Sequence, residues 1–86
     1  MPRISAFYGI VIYMHYNDHA PPHFHAKYGE FEARIVIATV ELMDDEFPPR
    51  AWRLVRSWTR LHQPELLADW DLMRADSQPN SIAPLP

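Results

Sequence analysis

The first apolar stretch of the chain has no helical period. Ile10, Val11, Ile12 and Tyr13 are β-branched or aromatic and follow one another without a polar break, a pattern that predicts a strand with apolar groups on both faces. The longer run around it, Ile4 to Met14, lies between Arg3 and His15-Tyr16-Asn17-Asp18. It faintly imitates a leader, but no small-residue cleavage site follows, and it is too short to span a bilayer. It reads as strand. Asn17-Asp18 signals a turn, and Pro21-Pro22 keeps helix and paired central strand out of residues 17–22.

From His23 the pattern alternates, and Gly29-Glu30 suits a two-residue hairpin turn with glycine first. Pairing outward from that turn sets Tyr28 against Phe31, Lys27 against Glu32, Ala26 against Ala33, His25 against Arg34, Phe24 against Ile35 and His23 against Val36. Phe24, Ala26, Tyr28, Phe31, Ala33 and Ile35 then share the core face. His23, His25, Lys27, Glu32 and Arg34 share the other, wetter face. A short extended piece follows around Val40 to Met43.

The period then changes to that of a helix. Pro48-Pro49 opens it, and Ala51, Leu54, Val55, Trp58 and Leu61 form its apolar stripe. Gln63-Pro64 interrupts, with Pro64 placed as the first residue of a second helix whose core face is Leu66, Leu67, Trp70 and Met73. Glu65 and Asp69 suit the positive end of that helix. Strands first and helices second predict an α+β fold: a small antiparallel sheet, made of N-terminal strands and a hairpin, packed against two C-terminal helices. The chain reads as a single domain over 1–86, β-rich over 1–43, with two helices over 48–75 and an irregular tail over 76–86.

Composition changes this picture little. Apolar residues make up 48% of the 86, including three tryptophans, four tyrosines and four phenylalanines, enough for a core and against wholesale disorder. A chain this short buries only about 60–65% of its unfolded surface, so a partner is expected to finish some apolar area. Cysteine is absent, which rules out disulfides and thiolate metal sites and agrees with a cytoplasmic location. Charge matters more. The net value of −3 hides an acidic knot at Asp44-Asp45-Glu46 and a basic segment with Arg50, Arg53, Arg56 and Arg60. Beside Trp52, the arginines Arg53, Arg56 and Arg60 are the candidates for partner binding; the plainer alternative is a solvated helix face.

The candidate chemistry lies in "NDHAPPHFHA", residues 17–26. His23 and His25 stand two apart on a strand, so their imidazoles point the same way, with Cα atoms roughly 6.5–7 Å apart. His19 lies on the proline-stiffened turn, Asp18 is beside it, and His15 ends the first strand. Three readings stay open. The histidines belong to a turn that Asp18 caps, with no chemistry. Alternatively His19, His23 and His25, or His15 in place of His19, bind zinc and leave a position for water. In the third reading, no cofactor is needed: His19, His23 and His25 do acid–base chemistry on a phosphodiester that Arg34 or Lys27 holds.

These stretches, with "FYGIVIYMHY" before them and "PRAWRLVRSWTRLHQPELLADWDLM" and "IAPL" after, resemble an uncharacterised bacterial family, domain of unknown function 4160, over about residues 2 to 85. Phe7, Gly9, Asn17, Asp18, His19, Pro21, Pro22, His23, Phe24, His25 and Ala26 carry the resemblance. It implies a short cytoplasmic protein paired with a small protein encoded by the neighbouring gene, its cognate antitoxin, in a type II toxin–antitoxin module. The expectation that follows is a toxin component acting on RNA through the histidine patch, with ribonuclease as its enzyme class. The alternatives are a non-catalytic protein-interaction module (antitoxin or regulator) and a metal-dependent hydrolase. The partners expected are that neighbour protein, RNA and a second copy in a homodimer, with no membrane. The resemblance assigns no catalytic residue.

Overall fold

The computed structural model describes residues 2–44 and 46–86; Asp45 of the acidic knot lies outside them. Five antiparallel strands follow one another in space as in sequence: β1 (Arg3–Phe7), β2 (Ile10–Tyr13), β3 (His23–Tyr28), β4 (Phe31–Val36) and β5 (Glu41–Leu42). Two helices follow, α1 (Pro49–Leu61) and α2 (Gln63–Arg74). The fold is α+β.

The apolar run at the start is two strands. Tyr8 and Gly9 both take positive φ, 48° and 79°, which makes a turn whose twist suits a hairpin, and Phe7 pairs with Ile10 across it. β2 is thereby enclosed between β1 and β3, in keeping with its unbroken apolar character. The β3–β4 hairpin has the six pairs that its alternation predicts, from Tyr28 with Phe31 to His23 with Val36, and Gly29 takes φ +59° at its turn. The core face, however, stops short of the turn, where Tyr28 and Phe31 are exposed, and His23 on the other face is buried.

Ile10, Ile12, Phe24, Ala33 and Ile35 of the sheet join Ala51, Val55, Trp58, Leu66, Trp70 and Met73 of the helices in one core. The Trp58 ring lies 5.3 Å from Phe7 and 5.8 Å from Phe24. The helical stripe departs from the predicted one at Leu61, which is 63% exposed, while Thr59 is buried. The buried line runs 51-55-59, and the Thr59 hydroxyl satisfies itself by donating to the Val55 carbonyl at 2.7 Å. Leu67 is likewise exposed, and Asp69 is buried beside Trp70 in its place. His62 alone separates the helices. Gln63 fastens this corner to the turn after β4 by donating to the carbonyls of Ile37 and Ala38.

The tail has no regular structure but is tied down. The Ile82 amide donates to the Ile4 carbonyl (3.0 Å), the Trp58 indole to the Ala83 carbonyl (2.8 Å) and the Tyr8 hydroxyl to the Pro86 carbonyl (2.7 Å). Ile82 is buried and Leu85 packs on the core. Among the described residues, no helix is long and apolar enough to cross a membrane.

Candidate functional site

Register brings the site together. Tyr13 of β2 pairs with His25 of β3, and His25 with Arg34 of β4, so the three side chains stand in a row on one face of the sheet. Tyr13 stacks on the His25 ring, with centroids 5.1 Å apart and planes 14° apart. His15, just past the end of β2, meets the same ring edge-on at 4.3 Å.

The β2–β3 connection folds over this row and delivers Asp18. Asn17 makes the bend with φ +52°, a conformation that asparagine tolerates better than most residues, and its side-chain amide donates to the Asp76 carboxylate at 2.9 Å. The Asp18 carboxylate is thereby aimed at the histidines. Its Oδ2 lies 3.0 Å from His23 Nε2 and 3.2 Å from His25 Nε2. Its Oδ1 accepts the His19 backbone amide at 2.9 Å. His23 is fixed from its other side, where Nδ1 lies 2.8 Å from the Pro21 carbonyl. A carbonyl can only accept, so Nδ1 carries the proton. The Trp70 ring, 5.3 Å away, closes over His23. His23 is buried and His25 half-buried, drier than the polar face of an isolated hairpin.

Burial alone would raise the Asp18 pKa. The His25 hydrogen bond, the His19 amide and the charges of His23 and His25 together outweigh that, and the carboxyl is held below its usual range. Burial also pushes the His25 pKa down; the Asp18 hydrogen bond opposes this, and the charges of His15 and His23 reinforce it. Beside this centre is an open pocket of about 360 Å³ lined by His15, His25, Glu32, Ala33, Arg34 and Asp44.

Of the residues singled out from sequence, His23 and His25 converge, and Arg34 borders the same pocket. Arg34 is engaged by Asp44, its Nη2 reaching Oδ1 at 3.1 Å and its Nε reaching Oδ2 at 3.3 Å. The His19 side chain is exposed, and its contribution to the cluster is its backbone amide. Asp18, His23 and His25 each offer one ligand atom, all within 4.8 Å of one another, the arrangement among the described residues that could hold a metal ion. The third member is thus the Asp18 carboxylate, in the place where an imidazole of His19 or His15 is expected. Its signal was present: an acid five residues before a His-x-His pair, separated by two prolines. On α1, Arg53 and Arg60 are exposed and Arg56 half-buried, while Trp52 packs partly against the core.

A family model described as "Domain of unknown function (DUF4160)" matches residues 9–71, a span that takes in Asp18, both strand histidines, Arg34 and all of α1. No curated protein and no solved structure is significantly similar to the chain.

Proposed function

We propose that this chain, which belongs to the DUF4160 family, is the toxin of a bacterial type II toxin–antitoxin module and that it cleaves RNA at the Asp18–His23–His25 centre. The observation that carries the reading is one carboxylate oxygen held between two imidazole nitrogens, at 3.0 and 3.2 Å, beside an open pocket. A structural turn needs no such convergence, and hydrolytic centres are built from it. The lowered His25 pKa favours the neutral ring at neutral pH, the form that both proton abstraction and metal ligation require.

The reaction that fits is attack by the RNA 2′-hydroxyl. Its oxygen bonds to phosphorus as its proton passes to the centre, the bond from phosphorus to the 5′-oxygen breaks, and His15 on the pocket wall returns a proton to that oxygen. Arg34, fixed in orientation by Asp44, faces the phosphate. Acid–base catalysis by a positioned imidazole is worth about 10²–10⁴-fold. A toxin of this kind works in the cytoplasm, where its RNA is. The neighbour-encoded antitoxin would dock acidic groups on α1, where Arg53, Arg56 and Arg60 form no ion pair among the described residues.

Inducible expression tests the reading. The wild-type chain should arrest growth and cleave RNA in vitro, and co-expression of the neighbouring gene should restore growth. His25→Ala and His15→Ala, verified as folded by circular dichroism, should lose both effects. The unpaired arginines favour a second reading, a non-catalytic antitoxin or regulator. It takes over if the folded wild-type chain is harmless and instead binds the neighbour protein through α1, with Arg53→Glu and Arg56→Glu weakening that complex.

A further inference from the structure

We infer that Asp18, His23 and His25 form a divalent-cation site of the zinc class, with two imidazole nitrogens, one carboxylate oxygen and a fourth position open toward the pocket. The inference deepens the reading of this centre as hydrolytic, but the site stands on its own geometry.

The first argument is proton accounting. His23 Nδ1 donates its N–H to the Pro21 carbonyl, so in the neutral ring Nε2 presents a lone pair. That lone pair faces a carboxylate oxygen 3.0 Å away, in a place where His23 is buried. Two acceptors at that distance hold together only through a cation, either a proton on Nε2 or a metal ion between them. The same oxygen is also 3.2 Å from His25 Nε2, its hydrogen-bond partner, so a single ion in place of the bridging protons would engage both rings.

The second argument is size. Zinc binds nitrogen and carboxylate oxygen at about 2.0–2.2 Å, and at a tetrahedral angle two such ligand atoms stand about 3.3 Å apart. The two edges of the ligand triangle that meet at Asp18 measure 3.0 and 3.2 Å, and the third is under 4.8 Å. The triangle needs little movement to close on an ion.

The third argument is the support behind each ligand. Metal-binding imidazoles donate their second nitrogen to a carbonyl or carboxylate, and metal-binding carboxylates are themselves hydrogen-bonded. Pro21 does the first for His23, the His19 amide does the second for Asp18, and His25 is clasped between Tyr13 and His15.

The fourth argument is charge. Glu32 and Asp44 line the pocket, Asp18 lies behind it, and Arg34 is already matched by Asp44. A polyanion entering this surface meets more negative than positive charge. A divalent ion reverses the balance and supplies an acidified water at the open position.

The test uses tag-free full-length protein stripped with chelator and titrated with Zn²⁺ by calorimetry, with Co²⁺ as a spectroscopic probe of coordination. One equivalent of Zn²⁺ should bind per chain, the Co²⁺ protein should show a tetrahedral visible spectrum, and saturation at about 100 times Kd should raise Tm by roughly 10–20 °C. His23→Ala, His25→Ala and Asp18→Ala should each weaken binding at least tenfold. His62→Ala, which removes a histidine–carboxylate pair elsewhere, should bind as wild type. Asp18→Asn and His25→Gln keep the side-chain shapes and serve if an alanine variant does not fold. Absence of binding, or binding that survives loss of both His23 and His25, overturns the site. RNA cleavage that persists in chelator without bound metal sinks the metal and leaves the ribonuclease standing; stoichiometric binding by a protein that cleaves no RNA does the reverse.

Discussion

Replacing Asp69 with asparagine should make the protein more stable at neutral pH. Asp69 is 1% exposed. Its Oδ1 accepts the Asn80 amide at 2.9 Å, while Oδ2 meets no donor among the described residues. Burial raises its pKa; the Asn80 hydrogen bond offsets part of that, and the Glu65 charge adds to it. A buried polar group left unsatisfied costs about 1–3 kcal/mol, and more when charged. Asparagine keeps the acceptor for Asn80 and removes the charge, but its own amino group is then unpaired. The net gain is therefore put at the low end, about 1 kcal/mol, or a Tm rise of about 4–8 °C for a domain of this size. The sign follows from linkage. With the folded pKa above the unfolded value of 3.8, the contribution of Asp69 to stability is complete below 3.8 and is lost as pH rises through the folded pKa. The advantage of Asp69→Asn is present at neutral pH and fades in acid. Urea denaturation of both proteins at about pH 7 and about pH 4 measures it. Equal or lower stability of the variant at neutral pH, or a gain of the same size in acid, refutes the reasoning.

Three further outcomes are expected. Val40 is β-branched at φ +56°, so Val40→Asn should relieve backbone strain and add about 1 kcal/mol, read by the same denaturation. The side-chain hydrogen bond from Arg34 is the main reason the Asp44 carboxyl lies below its usual range, against the opposing effect of burial. Arg34→Met should bring its NMR titration up toward 3.8 and remove a contribution to stability that is otherwise present above 3.8 and lost as pH falls through the depressed folded value. Trp58→Phe removes the indole donor to Ala83, so hydrogen exchange at the Ile82 amide, which donates to Ile4, should speed up while that of β3 amides changes less.

The hairpin was legible in the sequence because alternation and a glycine turn are local and act together; shifting the pairing by one residue would have buried His25 and Arg34 in place of Phe24 and Ile35. The helices were legible from their period, except at Leu61 and Leu67, where Thr59 and Asp69 take the buried positions. A polar residue that finds its own partner, as Thr59 does at Val55, can replace a leucine without a trace in hydropathy. The division of the first apolar run into two strands depended on Tyr8 accepting a positive φ, which no apolar pattern announces. The co-facial histidines could be read from their spacing. The position of Asp18 could not, because it is set by the bend at Asn17 and by a contact with Asp76, 59 residues away along the chain. The tail reads as irregular in sequence and is irregular in form, yet its anchors on Ile4, Trp58 and Tyr8 are tertiary.

The grip of Asp44 on Arg34 extends beyond the side chain. β5 covers β4 only where Leu42 meets Ile35 and Glu41 meets Val36, which would leave the outer rim of the hairpin open. At Arg34 the backbone is already spoken for: its amide donates to the Asp44 carboxylate at 2.7 Å, and its carbonyl accepts the Met43 amide at 2.8 Å. A strand from another molecule finds no ladder position there. Toward the turn it would meet Glu30, Glu32 and Glu46 around a shallow acidic hollow, and two copies approaching by this rim bring like charges together. The carboxylate thus acts as a stopper that ends the sheet, guarding an apolar-cored hairpin against runaway stacking. Because the remaining protection is charge repulsion, it is strongest in dilute salt and weakens as salt screens it.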